Sequence, residues 1–175
     1  MRFLFITGKV AITVRHWVER GPHDGSTESG SRVEVRRYEE DVPEPYNAAP
    51  PARLLKPFWR ADLFTHDQGE EGNWERAHQH TEWKGNEPGP RSWSPEMSSD
   101  PVGYTMRRLE NLPALLREAG AGAEAASIDP AELAALVPAI RTAIETCLKP
   151  APASTAKTTS GKTTIGKTTR GRSAQ

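Results

Sequence analysis

The sequence predicts an α+β fold: an antiparallel sheet of two hairpins, then C-terminal helices, then a disordered basic tail. Three observations predict it. Apolar residues recur with period two through the first half of the chain, the period becomes helical after residue 100, and neither pattern continues beyond residue 148. Strands first and helices afterwards, rather than in alternation, mark α+β. A chain of 175 residues is long enough for one core, so residues 1–148 are expected to form a single domain and residues 149–175 a low-complexity tail.

From Lys9 to Val18, the residues Val10, Ile12, Val14 and Val18 recur with period two and His16 shares their face, which reads as a strand. The stretch GPHDGSTESG, Gly21 to Gly30, is made of turn-forming residues, and Ser31 to Glu39 alternates again around Val33 and Val35. These two strands form the first hairpin. Residues 41–51 hold Pro43, Pro45, Pro50 and Pro51, so a surface connection follows instead of another sheet element.

The third strand runs from Pro57 to Phe64, with Trp59, Ala61 and Leu63 on one face and Phe58, Arg60, Asp62 and Phe64 on the other, where His66 follows. DQGEEGN separates it from Trp74–Trp83, where Arg76, His78, His80 and Glu82 share a face with Trp74. A turn centred on Glu70 sets Asp62 opposite His78 and Arg60 opposite His80, all on one surface. A one-residue slip destroys that arrangement.

After Glu87-Pro88-Gly89-Pro90 the period changes. Asp100-Pro101 supplies an N-cap and a first-turn proline, and Val102, Met106, Leu109, Leu112 and Leu116 repeat at helical spacing up to Gly120, with Pro113 as a break. Asp129-Pro130 opens a second helix with Leu133, Leu136, Val137, Ile140, Ile144 and Leu148 as its buried stripe, kinked near Pro138.

Composition bounds the function. At 35% hydrophobic and 26% charged residues, with 14 Gly and 15 Pro, the chain is polar and loop-rich but not of the disordered class. The single cysteine, Cys147, rules out an intramolecular disulfide and a cysteine zinc cluster, and its place in an apolar helical pattern predicts a core-filling role in a reducing cytoplasm. Phe3–Ile6 is too short for a secretory or membrane-spanning segment, so no membrane association is expected. The net charge is zero, yet residues 149–175 hold Lys149, Lys157, Lys162, Lys167, Arg170 and Arg172 without one acidic residue, and all 23 acidic residues lie in residues 1–148. The tail is expected to make at most weak, sequence-independent contacts with nucleic acid.

Within that tail, Gly161–Thr168 reads GKTTIGKT and fits the phosphate-loop pattern. A phosphate loop needs a strand before it and a helix after it. Neither pattern is present, and the match arises from a five-residue repeat, KTTSG, KTTIG, KTTRG. No nucleotide is expected there. Because Ile165 is the lone large apolar residue of the segment, deletion of residues 150–175 should leave the thermal unfolding midpoint unchanged. A fall of several degrees would show that the tail docks on the domain.

Arg60, Asp62, His78 and His80 are the candidate site. Two imidazoles share general-base and general-acid roles in phosphodiester cleavage, a guanidinium stabilises the added negative charge, and a carboxylate orients one imidazole. No cofactor is expected; were a metal to bind, its ligands would be His78, His80 and Glu82, beside Asp62. Gly72, then five residues, then His78-Gln79-His80 resembles the first metal-binding motif of the cupin barrels. The glutamate that such a motif implies falls at Lys84 or Gly85, and no histidine follows His80.

Arg-x-Asp, His-x-His, Glu-Pro and a following helix, over Phe58 to about Leu116, resemble the small toxins of some bacterial toxin–antitoxin pairs, which implies RNA cleavage. The asparagine of that pattern is Leu63 here. WRADLF, RAHQH and EPGPRSW are also similar to a domain of uncharacterised bacterial proteins, which implies no activity. The leading expectation is therefore a small binding or interaction domain, with a protein partner of unspecified identity, that presents a polar Arg/Asp/His face on its second hairpin. A metal-independent ribonuclease using the same four residues is the alternative, and a polar strand face of this kind is ordinarily solvated.

Overall fold

Alternation along the strands sorts their side chains into an apolar and a polar set, and the sheet keeps them on opposite faces. The computed structural model describes residues 1–20, 27–40, 54–65 and 77–149. Strands β1 (Arg2–Thr7), β2 (Val10–Arg20), β3 (Thr27–Tyr38), β4 (Leu54–Thr65) and β5 (His78–His80) form an antiparallel sheet in the order β1-β2-β3-β4-β5. A two-stranded ribbon of β6 (Trp83–Lys84) and β7 (Glu87–Pro88) follows. Then come α1 (Pro95–Ser99), α2 (Pro101–Glu110), α3 (Leu112–Glu118), α4 (Gly122–Ala126) and α5 (Pro130–Leu148).

The core lies between one face of the sheet and the helices. Val10, Ile12 and Val14 of β2, Val33 and Val35 of β3, and Trp59, Ala61 and Leu63 of β4 are buried there with Met106, Leu109, Ile140 and Ile144. Polar ties lock α5 and α4 to the sheet's rim. Thr7 Oγ1 donates to Glu132 at 2.7 Å, His16 Nδ1 lies 2.8 Å from the Cys147 carbonyl, and Arg37 pairs with Glu124. Cys147 is buried, and burial pushes its thiol up, as suits a packing residue. Proline and N-cap signals act where the sequence placed them: Asp100 accepts from Gly103 N–H and Asp129 from Ala131 N–H, each ahead of a first-turn proline.

The antiparallel sheet followed by helices agrees with the sequence, with local differences. Arg2–Thr7 adds a strand at the edge, and β3 starts at Thr27, within the stretch read as a turn. Asn111 separates α2 from α3, so Pro113 sits in the first turn of a new helix, where its missing N–H costs nothing. Gly30 is required for close approach: a Cβ there would lie 1.9 Å from the Leu63 carbonyl oxygen across the β3–β4 pair. Residues 150–175, with the phosphate-loop pattern and the tail's basic residues beyond Lys149, lie outside the described residues, as do His66, Trp74 and Arg76. Among the described residues no helix is long and apolar enough to cross a membrane.

Candidate functional site

The site occupies the sheet face turned away from the helices. Arg60 pairs with His80 and Asp62 with His78, so the register between β4 and β5 is the one a turn centred on Glu70 requires. Because opposed residues in an antiparallel pair point the same way, Arg60, Asp62, His78 and His80 come together. The structure adds a fifth member, Arg32, which lies opposite Asp62 on β3.

Asp62 is the hub. Its Oδ1 accepts from Arg32 Nε at 2.6 Å, and its Oδ2 lies 2.6 Å from Arg60 Nη2, 3.4 Å from His78 Nε2 and 3.6 Å from His80 Nε2. Asp62, His78 and His80 are 1%, 3% and 5% exposed, whereas a polar strand face is ordinarily solvated. Burial alone would push the Asp62 carboxyl up. Its polar contacts with His78 and His80 and the charges of Arg32 and Arg60 outweigh that effect and hold it well below the usual carboxylate range.

The histidines are held by the chain that follows them. After β5 the backbone leaves the sheet at Thr81–Glu82, turns through the β6–β7 ribbon with Gly85 at φ 64°, and comes back so that Ser92 pairs with Gln79. That return brings the Gly89 carbonyl to 2.8 Å from His80 Nδ1. A carbonyl only accepts, so Nδ1 carries the hydrogen and Nε2 is the nitrogen turned to Asp62. Between the two histidines, Gln79 points to the core side and accepts from Trp59 Nε1 at 2.8 Å, which fixes the pitch of β5. The His78 ring lies 5.1 Å from that of His80 and 6.0 Å from the indole of Trp93.

A cavity of about 390 Å³ opens over this cluster, walled by Trp17 and Phe64 and by Pro88–Arg91. Two buried donors on its lining, Arg60 Nε and Trp17 Nε1, have no acceptor among the described residues. An oxyanion in the cavity would supply one. Glu82, expected beside the histidines in a metal set, is exposed, and the chain has left strand pairing there; its carbonyl receives Gly89 N–H instead. The donor atoms that do lie within 4.8 Å of one another belong to Asp62, His78 and His80. Two nitrogens and a carboxylate suit a divalent transition metal, but Arg32 and Arg60 already occupy both Asp62 oxygens, and a cation there would face two guanidiniums at short range.

Fold and site together define an α+β protein with a buried Arg/Asp/His cluster under an open cavity. No protein-family model, curated protein or solved structure matches the chain.

Proposed function

We propose that the cavity binds a phosphodiester and that the chain is a metal-independent ribonuclease. The observation that carries this reading is the convergence of two imidazoles and two guanidiniums on one cavity whose lining also holds donors without acceptors among the described residues. In the reaction, one imidazole takes the proton of the ribose 2′-hydroxyl, whose oxygen attacks phosphorus. The other imidazole gives a proton to the departing 5′-oxygen, leaving a 2′,3′-cyclic phosphate and a 5′-hydroxyl. Arg60, with its Nε lacking an acceptor among the described residues, and Arg32 behind it stabilise the charge gathering on the phosphoryl oxygens. Asp62 positions both imidazoles.

A second reading rests on the Asp62/His78/His80 grouping as a metal site. One experiment separates the two. Purified full-length protein with a chelator present should cleave single-stranded RNA to cyclic phosphate ends and leave DNA of the same sequence intact, because DNA lacks the 2′-hydroxyl. Cleavage that needs added metal, or stoichiometric metal in the purified protein, would favour the second reading. Failure to cleave RNA in any buffer, with no metal bound, would leave the interaction-domain expectation standing.

A further inference from the structure

Arg32 belongs to a row that crosses the sheet. Arg2 pairs with Arg15, Arg15 with Arg32, Arg32 with Asp62 and Asp62 with His78, so one register line runs through all five strands on the site face. Like charges set directly opposite one another destabilise a sheet, and here three arginines stand side by side. Asp62 closes the row at the cavity end.

Within the ladder, the Arg15 side chain forms no hydrogen bond or salt bridge among the described residues. The acidic neighbour that acts on it, Glu34, already accepts from Arg36 Nε at 3.0 Å. Burial, then the nearby charge of Arg32, lower the Arg15 pKa, as expected for a cation crowded by others. Exposure is graded along the row: Arg32 is buried, Arg15 half-buried and Arg2 exposed. The positive field therefore opens from the cavity towards the free edge at β1. With neighbouring strands about 4.8 Å apart, β4 to β1 spans about 14 Å, too far for one phosphate to bridge.

We infer that the row Arg32–Arg15–Arg2 is the track for backbone phosphates next to the scissile bond, so the substrate is a single-stranded polynucleotide rather than a mononucleotide or dinucleotide. This rests on the phosphodiester reading of the cavity. Single strands fit for a second reason. Trp93, 55% exposed beside His78, offers a ring face on which an unstacked base can lie.

The test measures binding apart from cleavage. A fluorescent 2′-O-methyl RNA 12-mer, which has no nucleophilic hydroxyl, is titrated at several salt concentrations into full-length wild type, Arg15→Gln and Arg2→Gln, with melting curves recorded for each. The basic tail is common to all three, so differences report on the row. Each variant should bind several-fold more weakly and lower the slope of log affinity against log salt by about 0.7, the value of one single-strand phosphate contact. A 12-mer should also be a better substrate than the dinucleotide UpA, and that preference should shrink in both variants. Slopes equal to wild type in correctly folded variants would overturn the track even if RNA is cleaved. Arginine-dependent binding without cleavage would keep the track and sink the nuclease chemistry. A duplex of the same sequence bound as tightly as the single strand would overturn the assignment to single strands.

Discussion

His78→Gln and His80→Asn are each expected to lower cleavage of single-stranded RNA by about 100-fold or more, with the fold retained. The substitutions follow the geometry. In the first, the introduced glutamine amide reaches the place of His78 Nε2, 3.4 Å from Asp62 Oδ2, and so keeps a donor towards the carboxylate while losing the ability to exchange a proton. At position 80 the nitrogen to preserve is Nδ1, which anchors the ring to the Gly89 carbonyl at 2.8 Å. Asparagine places an amide N–H there and deletes Nε2. Both side chains are buried, so alanine would confound chemistry with packing, whereas these two leave a polar partner in place. Initial rates on a labelled 12-mer with chelator, beside melting curves, provide the check. Wild-type rates in either variant would remove that imidazole from the reaction.

The part of this site that was legible in the sequence was the part fixed by local spacing. Trp59, Ala61 and Leu63 alternate with Phe58, Arg60, Asp62 and Phe64, so one turn position sets both the faces and the Asp62–His78 register. Arg32 was not legible. Its alternation puts it opposite Val33 and Val35, but β3 and β4 are joined through residues 39–53, a proline-containing connection whose length does not dictate a register. The edge strand was hidden for a different reason. Phe3 and Phe5 pack towards the core while Leu4 and Ile6 are exposed, so β1 is apolar on both faces and shows no contrast of period two. At Glu82 the period-two alternation of the sequence continues past the end of β5, whereas the chain turns there into the β6–β7 ribbon. Helices α1 and α4 have five residues each, too few for a 3.6-residue period to show.

Replacing Asp62 should have the largest effect on stability of any change in the cluster, and the effect should depend on pH. In Asp62→Asn the side-chain shape remains, but the buried guanidiniums of Arg32 and Arg60 lose their common counter-charge. Removing one member of a buried ion pair typically costs about 3–5 kcal/mol, because the charge left behind is desolvated without compensation. For a domain of this size that lowers the melting midpoint by about 10 °C or more. The sign of the pH dependence follows from linkage. The folded-state pKa of Asp62 is depressed below the unfolded value of about 3.9, so the unfolded chain binds the proton more readily. Its contribution is therefore fully present above about pH 5 and is lost as pH falls below about 4 towards the folded value. The gap between wild type and Asp62→Asn should be widest at neutral pH and narrow by about 1 kcal/mol by pH 3, because the folded value lies well below that pH. A difference below about 1 kcal/mol at pH 7 would show that the arginines are stabilised by something other than this carboxylate. A gap that stays constant from pH 7 to pH 3 would show that Asp62 is not held ionised by its neighbours, and would remove it as the group that positions the two imidazoles.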